Sequence, residues 1–313
     1  MLCPKCRYQR QPSDDAPDWQ CPSCGVAYAK AHTANTTSKY VEVSDIKTGT
    51  TVNSGFSFKK LRISILLLIL AVVALDNWLT TIRSTDWQDS LWAVVYPVNA
   101  DNSQAANEYI NSISTTDFRS VQAFFASETR RYGIELKDPV EIRLGPVVNE
   151  VPPLPPEDRS VLKTMWWSLQ LRYWSVAVDE YNGPRPDIRV FVLYNQPENN
   201  KRLPHSTGLK KGMVSVVHAF ADKKMSSRNN VVIAHELLHT LGASDKYDLQ
   251  TTLPIFPDGY AEPDNEPLFP QQFAEIMAGR IAVSETTSIM PESLKQALVG
   301  AQTATEIGWR SVE

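Results

Sequence analysis

Ile63 to Leu75 (ISILLLILAVVAL) is almost wholly aliphatic, and no other stretch limits so severely what this chain can fold into. A helix built from it is apolar on every side, so it has no polar face to turn toward water. Apolar character resumes at Trp78, Leu79 and Ile82, and Leu61 to Leu79 is long enough to cross a bilayer at about 1.5 Å per residue. Asp76 and Asn77 fall near one end, within reach of headgroups and water. A buried core helix is the competing reading. A cleavable signal peptide does not fit, because a long polar stretch with two cysteine pairs precedes the run. The expectation is one transmembrane helix over residues 61–82.

That helix would divide the chain into two compartments. Lys59, Lys60 and Arg62 crowd its N-terminal flank, whereas the far flank sets Arg83 against Asp76, Asp86 and Asp89. The positive-inside rule then keeps the N-terminus in the cytoplasm and sends residues 84–313 to the extracytoplasmic side, the periplasm in a Gram-negative cell. Cysteine usage agrees: all four lie between Cys3 and Cys24, on the reducing side, and the exported part has none.

Residues 1–30 hold two Cys-x-x-Cys pairs, Cys3/Cys6 and Cys21/Cys24, separated by the stretch Arg7–Gln20. Each pair is a tight turn aiming two thiolates at one point, and two such turns complete a tetrahedral sulfur shell around Zn²⁺. A glycine after the second pair, in CPSCG, lets backbone approach the metal. Two disulfides or a redox pair would use the same letters, but no βαβ pattern surrounds them. The expectation is a zinc ribbon with a structural zinc and no open ligand position. In the rival reading of the chain as a membrane adaptor, the ribbon would bind a cytosolic protein partner.

Residues 31–60, rich in Thr, Ser, Asn, Lys and Gly, read as a flexible linker. Residues 1–60 carry eight Lys/Arg against five Asp/Glu, leaving a balance of −7 for the remainder. An acidic body gives no reason to expect nucleic acid as a partner, and the ribbon has too few basic residues to supply one.

Beyond the apolar run the pattern is mixed α/β (α+β). LWAVVYPVNAD (91–101), PVEIRLGPVV (139–148), DIRVFVLYN (187–195) and GMVSVVHAFA (212–221) read as strands, the last near a sheet edge. One or two amphipathic helices are expected between Ser103 and Tyr132, and another from Glu157 to Glu180. The latter carries Trp166, Trp167, Tyr173 and Trp174, all assigned to core packing.

The chemistry concentrates in VVIAHELLHTLGASDKYD, residues 231–248. On a helix His235 and His239 share a face and can direct ring nitrogens at one metal ion, while Glu236 reaches a water on that metal. Gly242 suits a helix that stops and turns back, which would return Asp245 to the metal as a third ligand and leave the fourth position open. Glu262, Glu266 and Glu275 are the alternatives for that third position. His205 and His218 read as surface or strand residues, although His218 would flank a cleft if its strand bordered the site. The acidic, proline-rich loop 245–266 could bind calcium, but it lacks EF-hand spacing and reads better as a solvated loop.

HELLHTLGASD resembles the extended zinc signature of the metzincin metallopeptidases, HExxHxxGxxH/D, in the aspartate form of the snapalysin-type enzymes. The resemblance covers this one segment plus a downstream methionine. It implies a zincin-like domain over residues 84–313, with a mixed sheet, an active-site helix and a catalytic zinc on His235, His239 and Asp245. Glu236 would be the general base for hydrolysis of a peptide or protein substrate. It also implies a methionine turn beneath the metal: Met277 in AEIMAGR is preferred and Met290 in TSIMPES is the alternative. A tyrosine assisting the transition state would be Tyr247 or Tyr260. An extended substrate could pair with a sheet edge near Gly212 to Ala221. The rival reading is a non-catalytic membrane adaptor, which would have no need of Glu236.

Overall fold

A computed structural model describes residues 1–3, 5–29, 58–156, 158, 160–198, 203–210 and 212–311. The linker expected over 31–60 lies almost entirely outside them. The chain divides into two units, Met1–Lys60 and Leu61–Glu313.

The first unit contains two knuckles of one design. Cys3 N donates to Tyr8 O and Arg7 N to Cys3 O, while Cys21 N donates to Val26 O and Gly25 N to Cys21 O. Antiparallel bridges Leu2–Gln9 and Gln20–Ala27 close the two loops. The residue after each second cysteine has positive φ: Gly25 at 67° and, in the other knuckle, Arg7 at 60°.

The second unit opens within helix α1, Phe58–Thr85, whose 28 residues span about 42 Å. Every side chain from Leu61 to Val72 is exposed, so the buried-core alternative for this segment does not hold. Among the described residues no helix is long and apolar enough to cross a membrane; within α1 the side chains of Val73, Ala74 and Asp76 to Thr85 are not described. Shortly after α1 the chain enters the core. Trp87 is buried, donates its indole N–H to Ile307 O at 2.7 Å and meets Trp309 edge-on.

A five-stranded mixed sheet follows, built from β1 (Leu91–Asn99), β2 (Val140–Leu144), β3 (Ile188–Asn195), β4 (Thr207–Leu209) and β5 (Val214–Phe220). The order is β2-β1-β3-β5-β4, with parallel pairing throughout except for β4, which lies antiparallel on β5. β1 and β3 are central and buried on both faces, which explains their unbroken apolar runs.

Helices α2 (Gln104–Ser112) and α3 (Arg119–Arg131) lie between β1 and β2, and α4 (Val161–Ala177) lies between β2 and β3. The two connections travel in opposite directions across the sheet, so right-handed crossovers deposit their helices on opposite faces. Alternate side chains of β1 accordingly join different cores. Ala93 and Val95 pack with Phe125 of α3 and with α5 (Ser226–Leu241), whereas Val94 and Tyr96 pack with Trp167 and Leu171 of α4.

Two expectations fail here. Only Trp167 of the four aromatics on α4 is fully buried; Trp174 is half-buried, and Trp166 and Tyr173 are exposed at 64% and 79%. Apolar residues occupy two opposite sides of this helix, and the sheet can cover only one. The sheet edge is also not β5, because β4 pairs with it over Val214–Val216 and Ser206 Oγ takes the His218 N–H. Among the described residues the outer edge is β4.

The C-terminal part is irregular, as expected, and tied by short pairs: β6 (Ala274–Glu275) with β9 (Ala297–Leu298), and β7 (Ile281–Ala282) with β8 (Ser288–Ile289). Helix α6 (Ala301–Glu306) ends the unit.

Candidate metal centres

Two groups of side chains converge closely enough to hold a metal ion among the described residues: Cys3, Cys6, Cys21 and Cys24, and His235, His239 and Asp245. Apart from Asp245, the described acidic residues of loop 245–266 form no such group.

In the first group Cys3 Sγ lies 3.7 Å from Cys24 Sγ, and Cys6 Sγ lies 3.6 Å from Cys21 Sγ. These separations exceed a disulfide bond of about 2.05 Å, and all four cysteines are free thiols. They match the edge of a sulfur tetrahedron, about 3.8 Å when each sulfur sits about 2.3 Å from a central ion.

The second group stands on the last turns of α5. Gly242 ends that helix at φ 113°, with Ala243 N donating to Leu238 O and Gly242 N to His239 O. This is the left-handed reversal read from the sequence, and it carries Asp245 back. Asp245 Oδ1 lies 3.3 Å from His235 Nε2 and 3.1 Å from His239 Nε2. Tetrahedral N and O ligands at about 2.05 Å from an ion stand about 3.3 Å apart, so the spacing fits. The remaining ring nitrogens are held by carbonyls, His235 Nδ1 by Ile276 O at 2.9 Å and His239 Nδ1 by Ala243 O at 2.8 Å. A carbonyl only accepts, so each Nδ1 carries a proton, and in the neutral ring Nε2 is left as the lone pair that a metal at the shared point would take up.

Charge is concentrated there. Burial opposes the His235 imidazolium, but the Asp245 carboxylate, Glu236 and the Ile276 carbonyl raise its pKa to about 9 in the metal-free chain. Burial also works against the charged form of Asp245, yet both imidazoles hold its carboxyl well below the usual range. Glu236 is buried and its pKa is raised by burial, against the pull of His235 and His239. Its Oε2 is buried with no hydrogen-bond partner among the described residues, a state that calls for a water or a ligand.

These side chains border a cleft of about 430 Å³ that is also lined by His218, Phe220, Tyr247 and Met290. Tyr247 therefore faces the site, with its phenol pKa raised by burial and by Asp245. Tyr260 is not among the lining residues; it meets Phe256 and Phe269 edge-on. His218 borders the cleft through β5, its pKa lowered by burial and its buried Nδ1 without a partner among the described residues. His205 lines the cleft from an exposed position.

The methionine candidates separate clearly. Met277 is fully buried, in the turn whose neighbouring carbonyl, Ile276 O, holds His235, whereas Met290 is 40% exposed at the cleft wall. Glu275 is not a ligand. Fully buried, it accepts from Met277 N, Ala278 N, Gly300 N and Thr303 Oγ1, and so ties down the turn beneath His235. Glu262 is likewise engaged elsewhere, accepting from Gln272 N, and neither it nor Glu266 joins the histidines.

Two supports have no counterpart in the sequence pattern. Glu306 accepts from Ser244 N and Oγ and from Lys246 Nζ, gripping the residues on either side of Asp245. Lys246 N adds a bond to Met277 O at 3.0 Å. Gly208 lets β4 press against α5: a Cβ there would stand 2.5 Å from His239 Cβ and 2.6 Å from Glu236 O. Glu306 lies far along the chain from Asp245 with no motif linking them, and Gly208 is one glycine among 13.

No protein-family model matches the chain, and no curated protein matches it. The case for what it does rests on the site itself.

Proposed function

We propose that the chain is a membrane-anchored zinc endopeptidase of metzincin type, with a structural zinc in the N-terminal ribbon. One observation carries this reading: two Nε2 atoms and one carboxylate oxygen meet at ligand spacing, beside a buried glutamate with an unsatisfied oxygen. A purely structural metal site has no use for such a carboxylate. Zinc held by His235, His239 and Asp245 would supply Lewis acidity toward a scissile carbonyl and toward water.

Glu236 takes a proton from the attacking water as its oxygen bonds to the carbonyl carbon. As the C–N bond breaks, Glu236 passes that proton to the departing amine. Burial suits it to the first step, since a raised pKa makes the carboxylate a stronger base, and the more basic departing amine then takes the proton from it. Tyr247 is the better placed of the two tyrosines to donate to a developing oxyanion. Met277, fully buried, anchors in the core the turn whose Ile276 carbonyl holds His235. An extended substrate would align along β4, the outermost strand beside the cleft. The anchor is α1, whose exposed aliphatic side chains from Leu61 to Val72 have no stable place in water, with residues 84–313 on the extracytoplasmic side.

Full-length protein in detergent, incubated with an unfolded protein, tests the reading. Cleavage should be lost on chelation, restored by zinc, and fall at least about 10³-fold in Glu236→Ala with zinc content unchanged. Asp245→Ala should lower zinc from about two per chain to about one. A fully zinc-loaded wild type that cleaves nothing would instead support the non-catalytic adaptor.

A further inference from the structure

The side of α4 that faces away from the sheet is apolar. Leu162, Met165, Trp166, Leu169, Tyr173 and Val176 are all exposed, and their spacing puts them within one arc of about 100°. The opposite side, with Trp167 and Leu171, is packed on the sheet. Lys163 and Arg172 flank the exposed arc, and the helix contains no acidic residue.

Three observations select the occupant. An exposed Trp and Tyr among aliphatic residues, bordered by basic stems, is the composition of a helix lying in the headgroup–acyl boundary. The core begins at Trp87, and the chain from Leu75 to that point reaches at most about 40 Å even when fully extended. An anchored domain is therefore confined to the bilayer surface, where a weak interfacial contact suffices. A second copy is a poorer occupant. A helix of 17 residues is about 25 Å long and about 10 Å across, so two such faces bury well short of the roughly 1,200–2,000 Å² of a standard interface.

We propose that this face of α4 is a membrane-docking surface that seats the domain in the lipid interface, a proposal resting on the reading of α1 as the anchor. The catalytic helix α5 packs on the other face of the sheet, so docking through α4 leaves the cleft uncovered. The substrates favoured by this arrangement are chains passing close to the same membrane.

The full-length protein carrying Trp78→Phe, which removes the indole on α1, is reconstituted into phosphatidylcholine–phosphatidylglycerol vesicles containing brominated acyl chains. The proposal expects the protein to float with the vesicles and its tryptophan emission to be quenched. Adding Trp166→Phe should abolish that quenching without affecting flotation. Flotation without quenching overturns the docking proposal and leaves the anchor standing. If, in addition, Trp166→Glu converts a detergent-solubilised dimer to monomer, the face belongs to a second copy. Failure to float refutes the anchor, and the proposal falls with it.

Discussion

The two candidate metal centres are built on opposite principles. In the ribbon, four ligands come from two short loops, and the backbone hydrogen bonds of each loop stay close to its own cysteines. In the cleft, three ligands come from one short segment, His235 to Asp245, yet their aim depends on partners far along the chain. Ile276 O orients His235, Glu275 holds the turn containing Ile276, and Glu306 grips both neighbours of Asp245. A ribbon confined to residues 1–30 has almost no core, so its metal must supply the folding energy. The cleft residues stand on and beside a helix held by a large core, so packing between distant segments sets their positions.

Breaking one ligand in each site exposes the contrast. Cys21→Ser should unfold the ribbon outright, since structural zinc contributes on the order of 10 kcal/mol to so small a unit. Zinc should fall by one per chain, residues 1–30 should become protease-sensitive, and peptidase activity should persist. Glu275→Ala acts on the cleft at a distance. It strands four donors around a buried cavity and should destabilise the second unit by about 3 kcal/mol or more. Differential scanning calorimetry should show a lower Tm for that unit, and activity should drop as Ile276 O loses its aim.

Titration sharpens the comparison next. His235 has a folded-state pKa of about 9, above its ordinary 6.5. In the metal-free protein the stability from its charged pairing with Asp245 is therefore fully present below about pH 6.5 and is lost as pH rises through 9. Zinc requires the neutral ring, so cleft affinity should climb by up to about tenfold per pH unit across the same window and level off above it. A competition titration with a chromophoric chelator at pH 6, 7, 8 and 9 checks this, and a flat profile would contradict the pairing.

The smallest effect separates the two knuckles. Arg7 adopts φ 60° where its counterpart is Gly25, and that conformation costs a non-glycine residue about 1 kcal/mol. Arg7→Gly should tighten zinc binding by the ribbon by up to about fivefold and leave the cleft unchanged.

Much of this architecture is legible locally. The four main strands, the helix carrying His235 and His239, the reversal at Gly242 and the return of Asp245 follow from period, capping and spacing, all carried by residues near one another in sequence. The short strand β4 is not legible, because Thr207–Leu209 is too brief to show a period. Without it the sheet edge falls on the wrong strand. The aromatics of α4 are ambiguous for a related reason. Composition alone shows that a helix is apolar, but not which of two apolar sides the sheet takes.

The sequence by itself picked out the four cysteines and the pair His235 and His239 as candidate ligands, since thiolates and imidazoles must stand at fixed short spacings to share one ion; the third cleft position it left between Asp245 and Glu262, Glu266 and Glu275. It also determined the exposed aliphatic segment, since no arrangement of that helix offers water a polar face. Only the tertiary structure decided which glutamate is left with an unfilled oxygen at the cleft and which is a girder. Glu236 and Glu275 are both buried carboxylates, and they differ in whether backbone donors from elsewhere in the fold fill their lone pairs. Such donors are brought together by packing between distant segments, which no local pattern records.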